Sequence, residues 1–242
     1  DKPHKIYLNN HITNSLKDED LTLALFQKGR IQEKNSKPVI LPESVTKPIT
    51  EISVDSLKED IMIEVQPQRH KKALERARKK KIVKVGFFAT FSSVWKYHGV
   101  YELMKQDPRF DPIVIVCPVV NYGKENMITE MEKSYNFFKN KGYNVVKAYN
   151  KETDTFLDVK QDINPDIIFY TNPYQGLIMD EYYITNFLDT LTCYTNYAFY
   201  VANRHKEVYG QLFNSILWKT FYETTIHVKM AKDYDRNKGN HV

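Results

Sequence analysis

The segment from Phe91 to Tyr101, FSSVWKYHGVY, concentrates side chains that can bind and activate a polar substrate. It contains two hydroxyls, a cation, an imidazole and two aromatic rings: Ser92, Ser93, Lys96, His98, Trp95 and Tyr97. Histidine is the usual general base at neutral pH, so His98 is the first candidate for proton abstraction. The alternative explanation is structural, with Ser92 or Ser93 capping a following helix and His98 exposed in its first turn.

Two further segments carry hydrogen-bonding side chains next to aromatic rings. In residues 171–176, TNPYQG, Pro173 and Gly176 favour a turn that presents Asn172 and Tyr174, a combination suited to a polyol or sugar. An ordinary strand-to-helix turn explains the same residues. In residues 194–205, YTNYAFYVANRH, three tyrosines lie three residues apart, which suits lining a cleft as well as packing against a helix; the three are Tyr194, Tyr197 and Tyr200. Arg204 and His205 can contact phosphate or begin a surface helix.

The sequence gives little support for metal or cofactor chemistry. It has no GxGxxG or GxxxxGK[ST] pattern for a dinucleotide or nucleotide phosphate, and no GxSxG elbow for a serine nucleophile. The seven histidines lack ligand spacing, and the two cysteines, Cys117 and Cys193, lie far apart within apolar runs. We therefore expect no metal site, no cofactor and reduced core thiols.

Strands and helices alternate from residue 82 to the carboxyl end, which predicts an α/β fold. Five buried strands are predicted from runs of β-branched and aromatic residues: 81–91, 112–118, 143–149, 165–171 and 191–199. Helical segments are predicted between and after them: 99–106, 124–142, 157–163, 179–189 and 205–224. This alternation predicts a Rossmann-like parallel sheet with helices on both faces. Ligands bind such sheets beyond the carboxyl ends of the strands, where the three polar segments lie.

The positive charge is concentrated in one short run. The chain of 242 residues has a net charge of +5, 42% hydrophobic and 27% charged residues. Residues 69–81, RHKKALERARKKK, carry a net charge of +7, whereas residues 82–242 are neutral. We expect residues 68–81 to form a basic helix that touches an anionic membrane surface; a solvated helix is the alternative. The neutral body argues against nucleic-acid binding. The basic side chains are Arg69, Lys71, Lys72, Arg76, Arg78, Lys79, Lys80 and Lys81.

Residues 1–67 are expected to be a loosely structured extension or linker. They contain only two aromatic residues, Tyr7 and Phe26, and many isolated polar residues. No stretch reaches the roughly 18 consecutive apolar residues of a membrane-spanning helix. No apolar leader opens the chain, so a cytosolic protein is expected rather than a secreted one.

Several motifs, in their order along the chain, resemble the CDP-glycerol glycerophosphotransferase family of teichoic acid and capsular polymer synthesis. The resemblance covers about residues 68–242 and is carried by KVGFFATFSSVWKYHGVYELMKQDPRFDPIVIVCP, YNFFKNKGYNVVKAY, NPDIIFYTNPYQG, NFLDTLTCYTNYAFYV, QLFNSILWKTFYET and KGNHV. The resemblance implies one lobe of a two-lobed, B-type glycosyltransferase architecture. The matching lobe serves the acceptor, and the other lobe binds the CDP-linked donor.

The implied reaction is attack of an acceptor hydroxyl on the β-phosphorus of CDP-glycerol, with release of CMP. In this family a His-Gly pair after a late strand is the proposed base, but the matching residues 192–199, TCYTNYAF, contain no histidine. His98 is our replacement and His205 the alternative. Acceptor binding is expected from residues in the three polar segments: Ser92, Ser93, Lys96, Tyr97, Asn172, Tyr174 and Tyr197.

The resemblance also implies partners and a location. The donor lobe is expected beyond Val242, so this chain alone is expected to show no transfer activity, and no donor ligands are assigned to it. The acceptor is expected to be a lipid-linked polyol or glycan on the inner face of the cell membrane, where the protein would bind peripherally. The different class that stays open is a non-catalytic module that binds a sugar or a protein partner on a Rossmann-like scaffold.

Overall fold

The computed structural model describes residues 5–6, 39–40, 54–196, 198–201 and 203–242. The chain divides into two units, residues 1–67 and residues 68–242. In the first unit, strand β1 (Lys5–Ile6) pairs antiparallel with β2 (Val39–Ile40). Within the described ranges, every helix is too short or too polar to cross a membrane.

Helix α1 spans Val54–Arg78, and its residues from Gln68 onward belong to the second unit. The sequence predicts a basic helix at residues 68–81, whereas the observed helix begins earlier, at Val54, and ends earlier, at Arg78. Its earlier start agrees with three apolar residues at helical spacing, Leu57, Ile61 and Val65. The prediction of a loosely structured extension did not take this spacing into account. The helix ends in a tight turn, because Lys79 N donates to the carbonyl of Arg76.

The second unit is built on a six-stranded, entirely parallel sheet. The strand order is β10-β9-β8-β3-β4-β5, which is the Rossmann order with β3 at the centre. The sheet strands are β3 (Val83–Ala89), β4 (Phe110–Val116), β5 (Val145–Lys147), β8 (Ile167–Tyr170), β9 (Leu191–Thr195) and β10 (Lys219–Phe221). The predicted α/β class and all five predicted strands are therefore confirmed. A small antiparallel pair, β6 (Tyr149–Asn150) and β7 (Thr155–Phe156), follows β5.

Apolar side chains cover both faces of the sheet. On one face, Phe87 stacks on Phe169 at 5.0 Å between ring centroids and packs beneath helices α2 (His98–Gln106) and α3 (Lys124–Asn140). Further along this face, Ala73 and Ala77 of α1 pack against Leu191 of β9. On the other face, Phe88 contacts rings from short turns instead of a long helix. Those rings are Tyr182, in the 3₁₀ turn Asp180–Tyr182, and Phe187, directly after the 3₁₀ turn Ile184–Asn186.

Three of the predicted helices differ from the structure. Two of these segments form only short turns, and the third forms two short helices followed by a strand. Residues 157–163 form a π turn at Val159–Ile163, and residues 179–189 form the two 3₁₀ turns. The predicted single helix at 205–224 is wrong. The chain instead forms α4 (His205–Tyr209), α5 (Leu212–Ser215) and the edge strand β10, before α6 (Thr225–Tyr234). Gly210 ends α4, and there an added Cβ would lie 2.5 Å from the carbonyl oxygen of Lys206. Residues 218–222, WKTFY, favour a strand by composition.

Candidate functional site

The carboxyl ends of β3 and β8 form the point where the strand order reverses. The chain leaves β3 toward β4 on one side, whereas β8 lies on the other side, and ligands bind such sheets where the loops diverge at this point. We call the space between the loops after β3 and β8 the crevice. The two loops are joined at their bases, because Thr90 N donates to Thr171 Oγ1 at 3.3 Å and that hydroxyl donates to the carbonyl of Phe88 at 2.9 Å. These loops contain the first two polar segments of the sequence.

Tyr97 is a core residue, which corrects its expected role in acceptor binding. Its side chain is only 4% exposed, and its hydroxyl donates to the carbonyl of Tyr170 at 2.7 Å. The same oxygen accepts from Thr195 N at 3.0 Å. Burial also raises the pKa of the Tyr97 hydroxyl well above its usual range. Tyr97 therefore holds the loop after β3 to the ends of β8 and β9. Its hydroxyl is buried and already hydrogen-bonded, so it is not available to a substrate.

Ser92 and Ser93 lie in a 3₁₀ turn, Ser92–Val94, at the mouth of the crevice. Neither caps α2, because that helix begins at His98 and its capping residue, Tyr97, makes no side-chain cap. Ser92 N donates to the buried hydroxyl of Ser134 at 3.2 Å, which fixes the turn against α3. Ser93 is exposed and available to a ligand.

His98 is the exposed first residue of α2, and its ring is anchored at one nitrogen. Nδ1 lies 2.7 Å from the hydroxyl of Tyr143, which also accepts from Trp95 Nε1 at 3.0 Å. In the tautomer protonated at Nδ1, His98 donates to Tyr143 and keeps a free lone pair at Nε2, as a general base requires. Tyr143 lies in the turn before β5, on the amino side of that strand, so this contact holds the ring on the β5 side of the sheet and away from β8.

The loop after β8 is a tight polar turn. Asn172 Oδ1 accepts from Tyr174 N at 2.9 Å, so the side chain shapes the turn while its amide NH₂ stays outside this bond. Tyr174 is 44% exposed, as a binding surface requires. Tyr197, the third expected acceptor residue with an aromatic ring, lies outside the described residues.

A charged cluster missing from the sequence-based expectations completes this edge of the sheet. Glu223, just after β10, lies 3.2 Å from His227 Nδ1 and accepts from Asn196 Nδ2 at 3.4 Å. His227 Nε2 is 3.1 Å from the carbonyl of Tyr200, so both ring nitrogens face oxygen acceptors. Burial lowers the pKa of Lys96, and the charge of Glu223 acts in the opposite direction, which places these two side chains in the same electrostatic environment. We call Lys96, Asn196, Glu223 and His227 the carboxyl-edge cluster.

The prediction of a single helix at 205–224 gave no indication of this cluster. A local signal was present, since Thr224 followed by an apolar-periodic segment is typical of a helix start. In the structure Thr224 Oγ1 accepts from His227 N at 3.3 Å and caps α6. A helix beginning there places Glu223 before it and His227 in its first turn, within reach of each other.

A group of aromatic rings, of which Tyr209 is buried and Tyr200 half-buried, lies next to the carboxyl-edge cluster. His205, the alternative base, packs at 5.4 Å between ring centroids from Tyr234 and at 6.2 Å from Tyr200. His205 Nδ1 and the hydroxyls of Tyr200 and Tyr209 are buried without hydrogen-bond partners among the described residues. Burial is the main cause that raises the pKa of Tyr209 to about 12, with Glu223 adding to it. Because His205 is enclosed by rings, it is less accessible to a substrate than His98.

Three of the basic side chains of residues 69–81 have polar partners elsewhere in the second unit. Arg69 forms an ion pair with Asp189 at 3.1 Å, and Arg76 donates to the carbonyl of the same residue at 2.6 Å. Lys80 pairs with Asp166 at 2.6 Å. The other expected membrane-contacting side chains are exposed: Lys71, Lys72, Arg78, Lys79 and Lys81.

Comparisons with known proteins identify no relative. No family model matches the chain, and neither a curated protein nor a solved structure matches it. The function is therefore argued from the site itself.

Neither a metal cluster nor a reactive thiol is found in the described part of the chain. No group of three or more His, Cys, Asp or Glu side chains there is arranged to hold a metal ion. Cys117 and Cys193 are buried and not joined in a disulfide, and burial raises the pKa of both thiols. The described side chains at this edge are hydroxyls, amides, a lysine, a carboxylate and histidines.

Proposed function

We propose that this chain is the acceptor-side lobe of a CDP-glycerol-type glycerophosphotransferase with a two-lobed, B-type architecture. The observation that supports the proposal is the reversal of strand order at the carboxyl edge of a Rossmann-ordered sheet, where the loops after β3 and β8 are joined by the Thr90–Thr171 bond. Ser93, Lys96 and Asn172 all belong to this edge, so a polyhydroxylated, phosphate-bearing acceptor would meet hydroxyl, amide and ammonium groups together.

In the proposed reaction, His98 acts as the general base. An acceptor hydroxyl attacks the β-phosphorus of CDP-glycerol, the bond between that phosphorus and the CMP oxygen breaks, and the hydroxyl proton passes to Nε2 of His98. The hydrogen bond between Nδ1 and Tyr143 supports this role, because it fixes the orientation of the ring and leaves Nε2 for the proton. The donor lobe would supply the groups that bind the two phosphates.

Lys96 is proposed to bind the phosphate of the acceptor. Desolvation of its ammonium group weakens competition from water, and the nearby Glu223 balances its charge when no ligand is present. Membrane attachment at the cytoplasmic face would come from the five exposed basic residues of the run, each contributing about 1 kcal/mol next to anionic lipid.

The test is binding of a short glycerol-phosphate oligomer to the 242-residue chain, measured by isothermal titration calorimetry. We expect saturable binding that is roughly tenfold weaker for Lys96→Gln, because one charge-assisted hydrogen bond is lost. Lys139→Gln, an exposed lysine on α3, is the matched control and should leave the affinity unchanged. The proposal fails if the oligomer does not bind, or if the two variants weaken binding equally.

A non-catalytic module that binds a sugar or a partner is the second candidate. The observation that favours it is the absence of histidine from residues 192–199, where the related enzymes carry their proposed base. The two candidates differ in one result. When the donor lobe and CDP-glycerol are supplied, the transferase releases CMP, whereas the binding module retains the acceptor without releasing CMP.

A further inference from the structure

A second concave surface lies at the opposite edge of the sheet from the crevice. It is a cavity of about 370 Å³ at the amino ends of β8 and β9, between the end of α1 and the π turn. We call it the amino-edge groove, and its lining residues that matter here are Arg76, Lys80, Lys160, Asp166, Phe187 and Asp189. The strands separate it from the crevice by about 15–20 Å, because each strand residue adds about 3.3 Å.

The two acidic residues of the amino-edge groove are already neutralised. Asp166 has a side chain that is only 10% exposed; Oδ1 accepts from Lys80 at 2.6 Å and Oδ2 from the backbone N–H of Lys84 at 3.0 Å. Asp189 is paired with Arg69 at 3.1 Å. Each carboxylate of the groove therefore already has a cationic partner.

Two cations of the groove have no carboxylate partner among the described residues. Arg76 uses one N–H of its guanidinium, at Nη2, for the carbonyl of Asp189, and its remaining N–H groups meet no acceptor there. Lys160 has only the ring of Phe187, 5.7 Å from its ammonium nitrogen. Its backbone is fixed, because Asp158 Oδ1 accepts from Lys160 N at 3.1 Å and caps the π turn.

The excess positive charge and the donor geometry suit a phosphate group. Guanidinium N–H groups match phosphate oxygens two at a time, and an ammonium group adds a point charge beside them. A neighbouring cavity of about 290 Å³ shares Lys160 and Phe187 with the groove and is lined in part by Phe156 and Leu157. It offers room for an uncharged portion of the ligand next to the phosphate.

We propose that the amino-edge groove is a phosphate-binding site, with Arg76 and Lys160 as its ligand-binding residues and Lys80 as a supporting cation. The bound group is a phosphate or pyrophosphate, carried either by a soluble molecule or by a lipid headgroup. The site is separate from the crevice and does not depend on the proposed transferase activity.

The first arm of the test titrates inorganic pyrophosphate into the 242-residue chain at low ionic strength, followed by isothermal titration calorimetry. We expect one saturable site, with affinity reduced roughly tenfold by Lys160→Gln and by Arg76→Gln. Lys139→Gln is the matched control, because Lys139 is an exposed cation of α3 outside both the groove and the basic run, and it should change the affinity less than twofold, since only screened long-range charge is lost. Lys160→Gln removes no hydrogen bond or ion pair of the side chain, so its circular dichroism spectrum and melting curve should match the wild type.

The second arm distinguishes the sources of the phosphate. The same four proteins are sedimented with phosphatidylglycerol vesicles, with phosphatidylcholine vesicles as the blank. If vesicle binding falls with Arg76→Gln and Lys160→Gln and is displaced by pyrophosphate, the ligand is a lipid headgroup. If only pyrophosphate binding depends on these residues, the ligand is soluble. The site is refuted if pyrophosphate does not bind saturably, or if Lys139→Gln weakens its binding as much as the groove variants.

Discussion

Replacing Tyr97 with phenylalanine tests whether this side chain holds the crevice together or binds the acceptor. The substitution keeps the ring, which packs 5.7 Å from Phe87 between centroids, and removes only the hydroxyl. Two backbone groups then lose their partner: the carbonyl of Tyr170 in β8 and the N–H of Thr195 at the end of β9.

The expected cost follows from the surroundings of these two groups. Tyr170 is 1% exposed, so its carbonyl cannot gain water, and an unpaired buried group of this kind costs about 1–3 kcal/mol. Thr195 is half-buried, so water can partly replace the lost bond and the cost is about 1 kcal/mol. We expect Tyr97→Phe to lower the free energy of unfolding by about 3 kcal/mol. For a domain of this size, that corresponds to a melting temperature lower by about 6–12 °C.

Urea unfolding followed by circular dichroism measures this change. The midpoint should fall while the slope with denaturant stays constant, because the surface exposed on unfolding is the same. Tyr122→Phe is the matched control, since Tyr122 is 66% exposed. A loss of less than 0.5 kcal/mol for Tyr97→Phe would refute the structural role. Weaker acceptor binding at unchanged stability would restore Tyr97 to the acceptor-binding residues.

Two other predictions concern histidines. Burial lowers the pKa of both His70 and His241 to about 4, against about 6.5 in an unfolded chain, so the unfolded state binds protons first on acidification. The free energy of unfolding should therefore fall between pH 6.5 and 4, by about 3 kcal/mol for His70, while the raised pKa of Asp235 acts in the opposite direction. Urea titrations at pH 7 and pH 4.5 measure the change, His70→Asn should reduce it, and a flat profile would contradict it. In the proposed two-lobed enzyme, His98→Ala should lower kcat roughly a hundredfold or more at an unchanged melting temperature, and unchanged CMP release would exclude His98 as the base.

The strands of the sheet could be predicted because each is a short run of β-branched and aromatic residues bounded by polar turns. The strand β10 was not predicted, although residues 218–222 have strand-like composition, because it has only three residues and directly follows two short helices. Its pairing with β9 is a tertiary contact, and local propensity does not contain it. The start of α1 at Val54 was not predicted for a different reason. The apolar residues of its first turns are few, and most residues around them are polar, which is typical of a loop.

The candidate site was predictable only as a set of loops. The position of Ser93, Lys96 and Asn172 at strand ends follows from the α/β pattern and the rule that ligands bind at the carboxyl edge. The burial of Tyr97 does not follow, because its two partners lie in β8 and at the end of β9, far along the chain. Glu223 likewise acts on the pKa of Lys96 only in the folded sheet, so this effect needs the full strand order.

The strand order also constrains when the crevice can form during synthesis. Strands β3, β4 and β5 are consecutive neighbours in the sheet and can pair as soon as residues 83–147 are available. The partner on the other side of β3 is β8, and joining Val85 to Ile167 closes a loop whose entropy costs about 4 kcal/mol, against about 3 kcal/mol for Val85 and Pro112. Until β8 arrives, the apolar edge of β3 stays unpaired, which exposes the nascent chain to strand-edge aggregation. The Thr90–Thr171 bond that joins the two loops can thus form only once β8 has been made, ahead of the contacts that Thr195 and Glu223 add to the same edge.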